Sequence, residues 1–358
     1  MGISDLFSLL GKYPMLLIAV ILSLAVLFVC GWTDCPNLVS TCVSTRCMKP
    51  RNAIIMCSIF NFIGLISMFF ISQKTASTII NLVDFGSNYG LALNALCAAM
   101  VGVVIWGIFA TSLGIPSSQS HSLIAGIVGA GIAVIVFSPY TGAKIDLSFN
   151  SSVMLTVYGL FLSLIFGFVV GLLSTKLIIL LFKNMEIKKA SPLFKKAEIG
   201  SCALLSFVHG AQDGLKFLGV IFLAIELSLK SDGNFDSLNL NSLWYLTIIA
   251  ALFLSLGSLV GSNKMIKRVG MNMVPLREYE GFATDFTSSI GVLISTFLGL
   301  PISTSQVKTA AILGVGASKN IKRINWKSAL SMIINWLFTF PGCGLVGFLI
   351  TTLFIYIF

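Results

Sequence analysis

The chain has 358 residues, 56% hydrophobic and only 10% charged, with a formal net charge of +10 and a mean hydropathy of +0.98. A soluble globular domain carries about 25% charged residues, so the composition excludes one and describes a polytopic membrane protein. The excess positive charge does not mark a nucleic-acid surface, because the basic residues fall in short loops between apolar runs, where cytoplasmic loops collect them.

A lipid core takes about 20 apolar residues per helix, which predicts spans at 14–40, 52–72, 91–111, 116–137, 152–182, 198–227, 242–262, 284–300, 302–318 and 328–358. The first run, Pro14 to Cys30, is not expected to be a cleavable signal: it has no small-x-small cleavage site and continues through Asp34 and Asn37. The spans 284–300 and 302–318 are short and parted by Pro301, while 152–182 and 328–358 are long enough to tilt or break. Pro341 and Gly342 are expected to interrupt the last one.

Loop charge sets the direction of each span. Basic residues cluster at Arg46, Lys49 and Arg51; at Lys183, Lys188, Lys189, Lys195 and Lys196; at Lys264, Lys267, Arg268 and Arg277; and at Lys319, Lys322, Arg323 and Lys327. Placing these four loops in the cytoplasm puts both termini outside.

Two polar motifs then recur. Gly31-Trp32-Thr33-Asp34-Cys35-Pro36-Asn37 interrupts the first span, and His209-Gly210-Ala211-Gln212-Asp213-Gly214-Leu215-Lys216 interrupts the sixth. Gly114-Ile115-Pro116-Ser117-Ser118-Gln119-Ser120-His121 and Gly299-Leu300-Pro301-Ile302-Ser303-Thr304-Ser305-Gln306 form the second pair. Asp34 precedes Asp213 by nearly the same stretch of chain as Pro116 precedes Pro301. A nearly constant offset for two doublets indicates an internal duplication. The loop charges make its halves antiparallel: a first repeat at 1–182, a cytoplasmic linker at 183–197 containing Pro192, and a second repeat at 198–358. The fold expected is an all-α polytopic membrane protein, an inverted-repeat transporter with about 10–12 membrane segments including broken or re-entrant helices.

Each Pro-Ser turn supplies good helix N-caps, and a helix starting inside a membrane points unpaired N–H groups and a positive dipole end into the protein. Ser118, Gln119, Ser120, His121, Ser303, Thr304 and Ser305 are therefore candidates to bind an oxyanion. The small-residue runs that follow, 125–131 and 314–317, allow these short helices to pack closely. Merely capping a kinked helix is the plainer role for such hydroxyls, and a matched pair at a fixed offset argues against it.

Asp34 and Asp213 are carboxylates that a bilayer tolerates only when paired, protonated or bound to a cation. Flanking helix breakers, Gly31 and Pro36 or Gly210 and Gly214, suggest unwound backbone, which with Thr33, Asn37 and Gln212 suits a sodium ion or a proton at Asp34 and Asp213. A static pair of Asp213 with Lys216 is the alternative. Lys308 either faces an anion or an acidic partner or snorkels to an interface; His121 and His209 either relay protons or are hydrogen-bonded structural residues. Asp285, Glu226 and Glu280 are expected at the interface. The eight cysteines contain no Cys-x-x-Cys pair and read as small hydrophobes. With no Gly-x-Ser-x-Gly motif and no metal-ligand spacing, the chain is not expected to be an enzyme.

These motifs resemble the signatures of the inorganic phosphate transporter (Pit) family, a duplicated Gly-Ala-Asn-Asp motif with Pro-x-Ser-Thr-Thr-His turns in both halves. Ser206 to Ile221, Glu280-Gly281-Phe282-Ala283-Thr284-Asp285, Leu298 to Val315 and Ile324-Asn325-Trp326 with Trp336 extend the resemblance over most of the chain. It implies secondary symport of inorganic phosphate with sodium or protons across the cytoplasmic membrane, no resident cofactor, and a fold that is often a homodimer. The chain departs from the pattern at Thr33 and Gln212 (for asparagine), Trp32 (for alanine), Gln119 (for threonine) and Gln306 (for the second histidine). Sodium against proton, phosphate against sulfate, and a transport-dead regulatory protein stay open as alternatives. Sulfate, carried by some relatives, has no proton to donate.

Overall fold

The computed structural model describes residues 2–82, 88–112, 117–137, 151–231, 233 and 239–357. Pro116, the first of the two turn prolines, lies outside them. The described residues form thirteen α-helices and no strand. They are α1 (Ile3–Lys12), α2 (Pro14–Ser44), α3 (Pro50–Ile71), α4 (Lys74–Ile80), α5 (Tyr89–Ser112), α6 (Gln119–Val136) and α7 (Ser151–Leu181). Then come α8 (Ile187–Ser231), α9 (Trp244–Val260), α10 (Asn263–Gly270), α11 (Glu278–Leu298), α12 (Thr304–Lys319) and α13 (Trp326–Ile357). Among the described residues eight helical segments are long and apolar enough to cross a membrane. The chain is an all-helical, multi-pass membrane protein, and the apolar runs of the sequence fall on its helices.

The packing follows the duplication. α6 lies along α13 and α12 along α7; α3 lies along α8 and α9 along α2; α4 touches α8 and α10 touches α2. Every one of these pairs maps onto its partner when α2–α7 are exchanged for α8–α13. On the axis of that exchange, α3 crosses α9 through a reciprocal clasp: Ser58 Oγ donates to the Ser255 carbonyl at 2.8 Å and Ser255 Oγ to the Ser58 carbonyl at 3.0 Å. Each half thus completes its packing on helices of the other.

Two sequence expectations are corrected. The backbone is not unwound at Asp34 or Asp213: both lie inside continuous helices, α2 with Pro36 in its interior and α8. Lipid makes unpaired backbone groups costly, so the helix is retained and Pro36 forfeits only the bond it cannot donate. Pro341 likewise sits inside unbroken α13. Most of the stretch 183–197 proposed as the linker is helical, forming the first turns of the following helix α8 around Pro192.

The glycines of the aspartate motifs serve close approach instead of unwinding. A Cβ at Gly210 would fall on the Asn61 carbonyl, and one at Gly31 on the Leu254 carbonyl. The small-residue runs act as expected, Gly129 abutting Gly344 of α13 and Gly314 the Phe168 backbone of α7. Because backbone cannot yield as a flexible side chain can, Gly210→Ala is expected to destabilise the protein by about 1–3 kcal/mol. The check is the thermal unfolding midpoint in detergent, which should fall relative to wild type.

Candidate functional site

Helices α6 and α12 begin deep in the protein. Ser118 is the N-cap of α6 and accepts from the His121 N–H; Ser303 is the N-cap of α12 and accepts from the Gln306 N–H. The two cap hydroxyls meet at 2.8 Å. Two positive helix ends therefore face one another across a pair of serines, with the N–H groups of their first turns lacking partners within the helix. Ser118, Ser303, Asp34 and Asp213 are each no more than 3% exposed, so the site is closed to both sides.

The carboxylates flank these ends through the opposite half's serine. Asp34 Oδ1 accepts from Ser305 Oγ at 2.9 Å, and Asp213 Oδ1 from Ser120 Oγ at 3.3 Å. On the other carboxylate edge, Asp34 Oδ2 accepts from the Cys30 thiol at 3.6 Å, and Asp213 Oδ2 from Thr304 Oγ1 at 2.8 Å. His209 stands between them, its Nε2 3.6 Å from Asp34 Oδ2 and 3.5 Å from Asp213 Oδ2, its Nδ1 2.9 Å from Asn61 Oδ1. Nε2 itself has no hydrogen-bond partner.

The amides are anchored on one side only. Gln119 Nε2 donates to Thr33 Oγ1 at 3.2 Å, and Thr33 in turn donates to the Cys30 carbonyl. Gln212 Nε2 donates to Ser295 Oγ and to the Leu300 carbonyl, each at 2.8 Å. The Leu300 carbonyl can only accept, and Thr33 has spent its own proton, so both amide orientations are fixed by their partners. That leaves Gln119 Oε1 and Gln212 Oε1 as buried acceptors without a donor, as Asn37 Oδ1 and Gln306 Oε1 also are.

Of the candidate anion ligands, Ser118, Gln119, Ser120, Ser303, Thr304 and Ser305 converge here. The His121 ring does not join the carboxylates: it packs edge-to-face on Phe340 at 4.9 Å, with Nδ1 unpaired. Both lysines have acidic partners. Lys216 Nζ is 2.5 Å from Asp213 Oδ1 and also donates to Ser120 Oγ and the Ile302 carbonyl, the arrangement weighed as the alternative for Asp213. Lys308 Nζ lies 2.9 Å from Asp285 Oδ1 and donates to the Leu38 carbonyl and Thr41 Oγ1.

Asp285 is a correction. Expected at the interface, it is wholly buried, and its two oxygens share the single Thr41 hydroxyl donor at 2.9 and 2.7 Å besides pairing with Lys308. Glu280 is buried too, yet lies at a span end, where it receives Arg323 at 2.8 Å and the Arg277 N–H at 2.8 Å. That carboxylate raises the Arg323 guanidinium pKa further above its usual value.

Cation ligands divide by chemistry. The Oδ1 edge of Asp34 faces the oxygen of Ser305, suited to a hard cation. On the Oδ2 edge, ligand atoms of Cys30, Asp34 and His209 lie within 4.8 Å of one another, a softer thiol–imidazole set. By sequence alone Cys30 reads as a small hydrophobe. The signal that finds it is the offset itself, since Cys30 precedes His209 by the same spacing that parts Asp34 from Asp213. The other early cysteines do not converge with it: Cys47 donates to Glu198, its thiol pKa raised by burial, and all eight are free.

Residues 30–347 match the model of the phosphate transporter family. Over 332 residues the chain is 32% identical to a "Probable low-affinity inorganic phosphate transporter" of Bacillus subtilis strain 168, spanning 92% of this chain and 94% of that protein. A Rhizobium meliloti protein of the same description is 29% identical over 335 residues, spanning 94% and 95%. Among solved structures, "The sodium-dependent phosphate transporter" superposes with a TM-score of 0.84, covering 97% of this chain and all of the other at 21% identity, a likeness of fold. These matches are to transporters, not enzymes.

Proposed function

The chain belongs to the phosphate transporter family, and from that premise we propose that it carries inorganic phosphate across the cytoplasmic membrane in symport with sodium. The observation that carries this reading is the 2.8 Å meeting of the Ser118 and Ser303 hydroxyls, which sets two buried helix N-termini face to face beside Asp34 and Asp213. Helix N-termini attract an oxyanion; Asp213 already holds the Lys216 ammonium, but the Asp34 carboxylate would repel the anion until a cation occupies it. Sodium at Asp34 Oδ1, with Ser305 Oγ and Asn37 Oδ1, neutralises that carboxylate, and the anion then enters as the two serines part. The halves 1–182 and 198–358 are the bodies that rock about it, with the four basic loops in the cytoplasm and both termini outside.

Phosphate is favoured over sulfate by the unpaired acceptors. Gln119 Oε1 and Gln212 Oε1 are buried without donors, a deficit that a hydrogen phosphate O–H relieves and sulfate does not. The sodium dependence named for the superposable transporter supports sodium. Proton coupling is the second reading, and His209 Nε2, unpartnered between two carboxylates, is the observation behind it.

Uptake of radiolabelled phosphate into proteoliposomes tests both. A sodium gradient is expected to drive accumulation, a pH gradient alone is not, and excess sulfate should leave uptake unaltered. Accumulation under the pH gradient alone would transfer the coupling role to His209, and none under either would sink the symport reading.

A further inference from the structure

The two cation sites share a frame and differ most sharply at one position. Asp34 and Asp213 each receive a serine hydroxyl on Oδ1. Cys30 and His209, which share the spacing of the two aspartates, each approach Oδ2 of an aspartate. Applied once more, the same spacing pairs Asn37 with Lys216. A neutral amide in one half thus corresponds to an ammonium in the other.

What surrounds that ammonium is a cation's ligand set. Lys216 Nζ has three acceptors for its three N–H donors: Asp213 Oδ1 at 2.5 Å, Ser120 Oγ at 2.7 Å and the Ile302 carbonyl. A carboxylate, a hydroxyl and a backbone carbonyl are the oxygens that a hard monovalent cation takes in a membrane. Among the described residues no lysine or arginine pairs with Asp34. Ser305 supplies it the matching hydroxyl at 2.9 Å, and Asn37, three residues further along α2 and 2% exposed, holds a side-chain oxygen with no hydrogen-bond partner.

We propose that Lys216 is a tethered cation that permanently fills one of two symmetric cation sites, so that a single exchangeable sodium, at Asp34, accompanies each phosphate. The inference rests on the sodium symport reading above and deepens it. The ammonium gives the anion the same neutralised carboxylate as a second sodium would. It is not transported, however, so each turnover draws on one ion of the gradient.

Full-length protein in proteoliposomes, with radiolabelled sodium and phosphate, tests this. Wild type is expected to take up one sodium per phosphate with a Hill coefficient for sodium of about 1, and Lys216→Asn to admit a second, raising it to about 2. Asn37→Lys, which places an ammonium at the symmetric position, is expected to bind phosphate without sodium. A wild-type ratio of two, Lys216→Asn with an unchanged sodium count, or Asn37→Lys that still requires sodium overturns the proposal. The wild-type count and Asn37→Lys decide the matter even if Lys216→Asn fails to fold. Wild-type phosphate uptake indifferent to sodium would instead overturn the symport reading beneath it.

Discussion

Asp34→Asn is expected to abolish sodium-driven phosphate uptake while leaving a folded protein. Asp34 is buried among the Ser305 hydroxyl, the Cys30 thiol and the His209 ring, with no lysine or arginine paired to it among the described residues. Among the described residues no lysine or arginine loses a partner when the carboxylate is neutralised, so the change orphans no such cation. A unit charge about 4 Å from a monovalent cation is worth about 4 kcal/mol at the effective dielectric near protein charges. Losing it should weaken sodium binding on the order of 100-fold or more. The check is initial uptake rate against sodium concentration, with the thermal unfolding midpoint confirming that the fold survives. Sodium-driven uptake close to wild type would remove Asp34 from the cation site.

A second substitution should act on stability. Lys308→Met leaves Asp285 wholly buried without its cation, and breaking a buried ion pair from one side costs about 3–5 kcal/mol. Thr41 still donates to Asp285, but a hydroxyl does not replace the charge. Extractable protein and the unfolding midpoint should both drop sharply. Adding Asp285→Leu to Lys308→Met should recover most of the loss, because two apolar side chains leave no orphaned charge. A double-mutant cycle that shows no coupling would mean that the pair contributes nothing to the fold.

Much of this could be read from residue spacing, and the misses have physical causes. Apolar length located the helices because lipid imposes that length on any sequence. The fixed offset announced the partners of the site, and the N-cap serines behave as their chemistry dictates. Gly31, Pro36, Gly210 and Pro341 misled because a helix breaker in water is not one in lipid, where unpaired backbone groups have no solvent to receive them. Asp285 looked interfacial from its place near a predicted span end. Its burial depends on Thr41, far back in the first half, and on Lys308 in the next helix, contacts that no local pattern announces. The unpaired oxygens of Gln119 and Gln212 emerge only once their amide nitrogens are seen to be engaged.

The seam between Ser118 and Ser303 has a kinetic consequence. A carrier must reset: after releasing its cargo, the unloaded protein has to return to the side where it began. Here the seam is a single neutral hydrogen bond in which either serine is able to donate, and such a bond contributes about 1 kcal/mol. Such a bond therefore shifts the balance between seam-closed and seam-open forms of the unloaded protein by only roughly fivefold. On the symport reading proposed above, so shallow a well leaves the direction of net flux to the ion gradients.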